Sequence, residues 1–148
     1  MGREADVRPS QAIPASPPET PAGPVILVVD DDAANVHLAV RVLRRAGYRE
    51  VHGLTDARRA ADLAEALVPD LVLVDLRMPH LDGLTVIAQL RPLLPPAAGI
   101  ILVTGELDEQ ARQAARLAGA SDIVSKPFDF DQLLECVARQ LGRPHGAA

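Results

Sequence analysis

The stretch VILVVDDD, residues 25–32, places three acidic side chains directly after an unbroken run of aliphatic residues. Such a run is typical of a strand that is buried on both faces of a parallel sheet. A second stretch, LVLVDLRMPHLDG at residues 71–83, repeats the arrangement, because its apolar run ends at Asp75. An unpaired charge is costly inside a buried strand, so Asp30 and Asp75 each indicate the end of a strand at a polar edge of the sheet.

Strand-like and helix-like segments alternate through the rest of the chain, and glycine or proline closes most of the helix-like segments. Short apolar runs predict strands, and apolar residues at helical spacing predict helices. The predicted strands cover residues 25–29, 50–54, 71–74, 99–103 and 122–125. The predicted helices cover a segment from Val36 past Leu43 that stops at Gly47, and residues 56–68, 84–91, 106–118 and 130–141. We expect Asp129 and Gln132 to form a capping box at the start of the last helix.

Five such βα units predict an α/β fold, a doubly wound parallel sheet that helices cover on both faces. The folded domain is expected to span residues 25–142. Residues 1–24 are rich in Pro, Ala and Ser, so we expect a disordered N-terminal tail with no role of its own. Residues 143–148 are expected to form a flexible C-terminus.

The composition of the 148-residue chain excludes several kinds of site. Aromatic residues make up 2%, so the core must be aliphatic. Cys136 is the only cysteine, which excludes an internal disulfide and a multi-cysteine zinc site, and it is expected to be packed and inert. The net charge of -5 argues against direct nucleic-acid binding. No apolar run is long enough for a membrane span or a signal peptide, so a cytoplasmic protein without membrane insertion is expected.

Polar residues follow four of the five predicted strands, and the carboxyl ends of parallel strands share one edge of a sheet. These residues are Asp30, Asp31 and Asp32 at the end of the first strand, Asp75 at the end of the third, Thr104 and Gly105 at the end of the fourth, and Ser125, Lys126 and Pro127 at the end of the fifth. Clustered carboxylates repel one another unless a hard cation such as Mg²⁺ (or Mn²⁺) neutralises them. We expect Asp32 to cap a helix or face solvent instead.

An ammonium group and a hydroxyl at the same edge favour a phosphoryl group as the second ligand. Lys126 is a point charge for a phosphoryl oxygen, and Thr104 is a hydrogen-bond donor. Carboxylates are nucleophiles toward phosphoryl groups, so Asp75 is a candidate for an aspartyl phosphate. Gly105 leaves room for that group, and the segment 78–83 forms a compact loop into the next helix.

Four segments, VVDDD, VDLRMPHLDG, VTG and SKPF, resemble in their order and spacing the receiver domain of two-component response regulators. The resemblance covers residues 25–142 and implies a (βα)5 flavodoxin-like fold with strand order 2-1-3-4-5. It implies that Asp75 is the phosphoacceptor. The implied Mg²⁺ ligands are Asp30, Asp31, Asp75 and the backbone carbonyl of Arg77. The implied switch hydroxyl is that of Thr104, Lys126 would pair with a phosphoryl oxygen, and the Lys126–Pro127 peptide bond would be cis.

The resemblance also implies partners. The phosphoryl group would come from a phosphohistidine on a sensor histidine kinase or a histidine phosphotransfer protein. The chain would be a regulator and not an enzyme with an outside substrate, catalysing only its own phosphorylation and slow dephosphorylation. Seven residues follow Leu141, so a stand-alone receiver is expected, with a fragment of a larger regulator as the alternative. It would bind or release an unknown output protein, relay or drain phosphate, and form a homodimer through the fourth helix, fifth strand and fifth helix.

Several positions depart from the family pattern or bear on its tuning. Ile123 stands where the family often has an aromatic switch residue, so a large ring cannot turn inward there. Arg77 and Glu106 each lie two residues after a site residue, and as a pair they would hinder the attacking water. Leu38 and Val42 widen the apolar stripe of the first helix, either as edge-of-core packing or as a docking patch for the phosphodonor.

Three other function classes compete with this interpretation. A phosphorylation-independent scaffold would keep the fold and use none of the site chemistry. A Mg²⁺-dependent phosphohydrolase usually has a second acid two residues after its nucleophile, where this chain has Arg77. A nucleotide-binding unit needs glycines in its first turn, and the segment DDDAAN at residues 30–35 has none.

Overall fold

The computed structural model of the chain describes residues 23–105, 108–126 and 129–141. Almost all of the predicted tail and the C-terminal residues 142–148 lie outside this part. Five parallel strands form one sheet, in the order β2-β1-β3-β4-β5. They are β1 (Val25–Val29), β2 (Glu50–Leu54), β3 (Leu71–Asp75), β4 (Gly99–Thr104) and β5 (Asp122–Ser125). The predicted doubly wound (βα)5 fold and its strand order are therefore confirmed.

Five α-helices connect and follow the strands. They are α1 (Ala33–Arg45), α2 (Ala60–Leu67), α3 (Gly83–Leu90), α4 (Glu109–Ala118) and α5 (Phe130–Leu141). Short 3-10 helices precede α2 at Ala57–Arg59 and follow α3 at Arg91–Leu93. The predicted helix over 56–68 corresponds to the 3-10 turn, which Asp56 caps, followed directly by α2. The predicted start of α4 at residue 106 was wrong, because Asp108 is its N-cap.

Aspartate side chains begin most of these helices. Asp32, Asp82 and Asp108 each accept a hydrogen bond from a backbone N–H two or three residues further along the chain. Asp129 and Gln132 form the predicted capping box, with distances of 2.8 Å and 3.2 Å for its two hydrogen bonds. The assignment of Asp32 to helix capping is likewise confirmed.

The sheet lies between two aliphatic layers. Alternate side chains of each strand point to opposite faces, so Leu27 and Val29 pack with α2, α3 and α4, whereas Ile26 and Val28 pack with α1 and α5. Burial on both faces explains why the strands read as continuous apolar runs. Within the described residues, no helix has the length and apolar character needed to cross a membrane.

The strand register sets the functional edge of the sheet. Asp75 is the last residue of β3 and pairs with Val103, and Thr104 is the last residue of β4 and pairs with Ser125. The backbone N–H of Lys126 donates to the Thr104 carbonyl at 2.8 Å. These pairings bring the ends of neighbouring strands together, so their polar residues share one edge.

Candidate functional site

Three carboxylates converge at the carboxyl edge of the sheet. Asp30, Asp31 and Asp75 each offer one oxygen, and these atoms lie within 4.8 Å of one another. The Asp30 residue is 9% exposed and the Asp75 side chain 11%, whereas Asp31 faces solvent. A cluster of carboxylate oxygens with one solvent-facing member fits a hard divalent cation that keeps part of its water shell, as Mg²⁺ does. The structure thus brings together the three acids expected to hold a metal.

Lys126 contacts the central acid of this cluster. Its Nζ donates to Asp75 Oδ1 at 2.7 Å, the length of a charge-assisted hydrogen bond. Burial by itself lowers the pKa of Lys126, but the hydrogen bond and charge of Asp75, with the charges of Asp30 and Asp31, raise this pKa overall. Lys126 is therefore a fixed cation that orients the Asp75 carboxylate.

Asp30 is a buried acid of this cluster. Burial raises its pKa, and the charge of Asp75 raises it further, against the lowering effect of the Asp32 N–H, Lys126 and Asn35. Asp30 Oδ1 accepts from the Asp32 backbone N–H at 3.0 Å, and Oδ2 accepts from Asn35 Nδ2 at 3.4 Å. A bound cation would stabilise the charged form of Asp30 against both the cost of its burial and the repulsion by Asp75.

The ends of β4 and β5 supply the other side of the site. Thr104 is 2% exposed. A Cβ built on Gly105 would approach only Lys126, at 3.9 Å or more, which is ordinary van der Waals contact. The described residues therefore leave open space beside the end of β4, as expected for a site that takes a further group.

The loop after Asp75 is held from behind by Gly83, the first residue of α3. Its N–H donates to the Leu76 carbonyl at 2.7 Å. A Cβ at Gly83 would lie 2.5 Å from the Asp75 carbonyl oxygen and 2.9 Å from Leu76 Cα, distances that real Cβ atoms do not reach. The predicted compact loop agrees with this arrangement, whereas the close approach at Gly83 was not predicted, although the Asp-Gly pair at the helix start was a signal for it.

The remaining predicted residues are distributed around this centre. Ile123 is partly buried and packs against the core on the α2, α3 and α4 side. Arg77 is exposed. Glu106 and Pro127 lie outside the described residues, so their predicted roles and the cis peptide stay predictions.

The two candidate docking residues, Leu38 and Val42, differ in exposure. Leu38 is 46% exposed, whereas Val42 is partly buried and packs against the α1 and α5 side of the core. For Val42, edge-of-core packing is the better interpretation. Its part in a docking patch stays a prediction, and of the two residues Leu38 presents the more open apolar side chain.

A cavity of about 490 Å³ opens beside the acids, a feature that the sequence analysis did not predict. Its walls are apolar side chains of β1, β3, β4, α1 and α5, and its polar lining residues are Asp30, Asn35, Asp75 and Lys126. Leu38 and Phe130 line it and are 46% and 40% exposed. The site therefore adjoins an apolar recess between α1 and α5.

A doubly wound sheet with clustered acids and a lysine at its carboxyl edge defines a receiver-type α/β domain. The family described as "Response regulator receiver domain" matches residues 26–138. The chain belongs to this family, whose members act in two-component signalling.

Relatives and solved structures agree with this assignment. The chain is 35% identical over 123 residues to the DNA-binding transcriptional regulator NtrC of Escherichia coli (strain K12), covering 79% of this chain and 24% of that protein. It is 37% identical to Protein CcdB of Bacillus subtilis (strain 168), covering 79% of this chain and 97% of that protein. The chain thus spans about a quarter of the length of the transcriptional regulators that it matches.

Among solved structures, the fold is similar to the receiver domain of sensor histidine kinase PA1611 from Pseudomonas aeruginosa PAO1, which has a magnesium ion coordinated in its active-site cleft. The TM-score is 0.72 at 32% identity, over 82% of this chain and 99% of that one. Vibrio cholerae chemotaxis protein CheY4 gives a TM-score of 0.73 at 27% identity, over 78% and 97% of the two chains.

Proposed function

We propose that this protein accepts a phosphoryl group on Asp75 from a phosphohistidine donor, in a Mg²⁺-dependent reaction. The observation that carries the proposal is the 2.7 Å hydrogen bond from Lys126 to Asp75 inside a cluster of three carboxylates. A nucleophilic carboxylate needs an orienting cation on one side and charge neutralisation on the other, and these residues provide places for both.

Asp30, Asp31 and Asp75 are the side chains that would hold the metal, together with the backbone carbonyl of Arg77. Their donor set is oxygen only, which suits Mg²⁺ or Mn²⁺. When bound, the divalent cation supplies charge neutralisation for the phosphoryl oxygens. The magnesium ion in the cleft of the PA1611 receiver domain supports the same use of this chain's acids.

The transfer exchanges one bond for another at phosphorus. A carboxylate oxygen of Asp75 bonds to phosphorus while the bond from phosphorus to the donor's imidazole nitrogen breaks, and the bonding electron pair stays with the imidazole. Lys126 exchanges part of its contact with Asp75 for a phosphoryl oxygen, and the Thr104 hydroxyl donates to another. The product is an acyl phosphate on Asp75, which water hydrolyses slowly.

Output follows from a shift between two conformations, which requires the phosphoryl group to favour one of them by a few kcal/mol. Ile123 is aliphatic, so the switch would use Thr104 and rearrangement of α4, β5 and α5 without a turning ring. We propose this face as the surface for an unidentified output protein or a second copy. Leu117 on α4, 87% exposed, supports an apolar contact there.

The donor would dock on α1 beside the cavity, because its phosphohistidine must reach Asp75 and Leu38 offers an apolar contact at that entrance. We place the protein in the cytoplasm, where sensor kinases present their phosphohistidine. Arg77 is exposed beside the acceptor, and with Glu106 it would slow the approach of water. An unchanged dephosphorylation rate in Arg77→Ala would exclude this tuning role.

The decisive experiment is intact-protein mass spectrometry after incubation with Mg²⁺ and a small acyl phosphate. We expect one added phosphoryl group in the wild type, and none in Asp75→Ala or in wild type with a chelator. Wild type that gains no group from this donor and does not bind beryllofluoride in the presence of Mg²⁺ would favour the phosphorylation-independent scaffold. Turnover of an outside phosphate ester would instead favour a phosphohydrolase.

A further inference from the structure

The first turn of α1 lacks a capping box, and its third residue, Asn35, contacts the acid cluster instead. Asp32 is the N-cap, so Asn35 is the third helical residue. In a capping box, a Glu or Gln side chain at that third position accepts the N–H of the N-cap residue, as Gln132 does at the start of α5. In α1 the Asp32 N–H is taken by Asp30 Oδ1 at 3.0 Å instead.

Asn35 completes the arrangement by donating to the other oxygen of Asp30. The distance from its Nδ2 to Asp30 Oδ2 is 3.4 Å. Both carboxylate oxygens of Asp30 are therefore contacted from α1, one by a backbone N–H and one by a side-chain amide. A carboxylate has about four lone-pair sites, so each oxygen keeps capacity for a further ligand.

We propose that Asn35 is a positioning residue that fixes the orientation of Asp30 for divalent-cation binding. This inference rests on the proposed function, since it concerns the same site. It also agrees with the chemistry at position 35: a glutamate there would repel Asp30, whereas the carboxamide of Asn35 donates to it. Outer hydrogen-bond partners of this kind typically change metal affinity by about 10- to 100-fold.

The test measures Mg²⁺ binding directly, by following backbone amide shifts near Asp30 and Asp75 in NMR titrations. Asn35→Ala removes the donor, and Asn35→Leu removes it while keeping a side chain of similar size. Both should raise the Mg²⁺ dissociation constant by about tenfold. Arg41→Ala, an exposed change two turns along the same helix, is the matched control and should leave this constant unchanged.

A purely structural role of Asn35 predicts a different pattern. Both variants would then unfold at lower urea concentration without metal, while their Mg²⁺ dissociation constants would equal that of the wild type. That pattern overturns the proposal. If the wild type itself shows no Mg²⁺-dependent shift, the proposed function fails, and this outcome is distinct from equal binding by wild type and variants.

A second measurement needs no variant of Asn35. Asn35 is the only asparagine of the chain, so labelling with ¹⁵N-asparagine shows its side-chain amide alone. We expect slow side-chain motion in the wild type and a shift of this signal on addition of Mg²⁺ or in Asp30→Ala. A freely rotating side-chain amide, whose signal does not shift on addition of Mg²⁺ or in Asp30→Ala, would contradict the proposed contact.

Discussion

At the scale of single residues, Asp75 is held from two directions. Lys126 contacts its side chain from β5, and Gly83 lies against its backbone carbonyl at the start of α3. The position of the carboxylate thus depends on Gly83, a residue without a reactive side chain. Any side chain at Gly83 must displace the backbone of Asp75 or Leu76, because neither backbone atom can rotate away.

Gly83→Ala is expected to destabilise the protein by about 1–3 kcal/mol, the usual cost of overpacking. Alanine is the better helix former by about 1 kcal/mol, so the sign of the change decides whether the contact or the propensity dominates. Urea unfolding of the metal-free protein measures it. Gly105→Ala is the matched control, since its Cβ would make only ordinary contacts. Equal midpoints for both variants would show that the backbone at Gly83 relaxes freely.

At the scale of elements, α5 is tied to the edge strand β5 by one carboxylate. Asp122 Oδ2 accepts from Arg139 Nη2 at 2.9 Å and from Cys136 Sγ at 3.2 Å. Burial, followed by the hydrogen bond to Asp122, raises the pKa of the Cys136 thiol to about 12. Cys136 therefore stays a neutral donor, and its packed, inert character agrees with the sequence-based expectation.

This tie predicts a specific dependence of stability on pH. Burial by itself raises the pKa of Asp122, but hydrogen bonds from Arg139, Cys136 and the Ile123 N–H lower it overall, below 3.8. A carboxylate whose pKa is lowered by folding stabilises the fold above the unfolded value, and the contribution is lost as pH falls through the folded value. Asp122→Asn should therefore lower the free energy of unfolding by about 1 kcal/mol at pH 7. Its difference from the wild-type value should shrink as the pH falls below 3.8.

Urea unfolding at pH 7 and at pH 3 checks this expectation. Glu65→Gln on α2 removes the same charge from an exposed position and serves as the control. A deficit of Asp122→Asn that is equal at both pH values would assign the effect to packing instead of to the ionised carboxylate.

The elements also show how far the sequence determines the structure. Strand ends at Asp75 and Thr104 were predictable because apolar periodicity is local. The start of α4 was predictable in principle, since aspartate is a favoured N-cap residue, although Asp108 lacks the Gln that completes the capping box of Asp129. The end of α2 was predictable to within one residue, because Pro69 closes the helix. The conformation of Val68 was not predictable, since its φ of 46° is left-handed and a β-branched residue rarely takes it.

The site, too, has a part that could be predicted from the sequence and a part that could not. Its charged residues lie at strand ends and follow from topology, whereas the contacts of Gly83 with Asp75 and of Asn35 with Asp30 depend on close approach in three dimensions. The cavity between α1 and α5 depends on how those two helices pack, so periodicity alone gives no signal for it.

At the scale of the whole molecule, two exposed leucines lie on different surfaces. Leu38 is on α1 beside the acid cluster, and Leu117 is in the last turn of α4. We propose the first as a contact for a phosphodonor, and the second as a contact for a second copy or an output protein. Since both are exposed, replacing either by glutamate should leave the fold intact.

Leu38→Glu is expected to slow phosphorylation by a phosphohistidine protein about tenfold, because an apolar interface contact is worth about 1–2 kcal/mol. Phosphorylation by a small acyl phosphate should be unchanged, since that donor makes no contact with α1. Leu117→Glu is the matched control and should keep both rates, because Leu117 lies on α4 and not on α1. Loss of both reactions in Leu38→Glu would place its effect in the site chemistry, and slower transfer in Leu117→Glu would move the docking surface to α4.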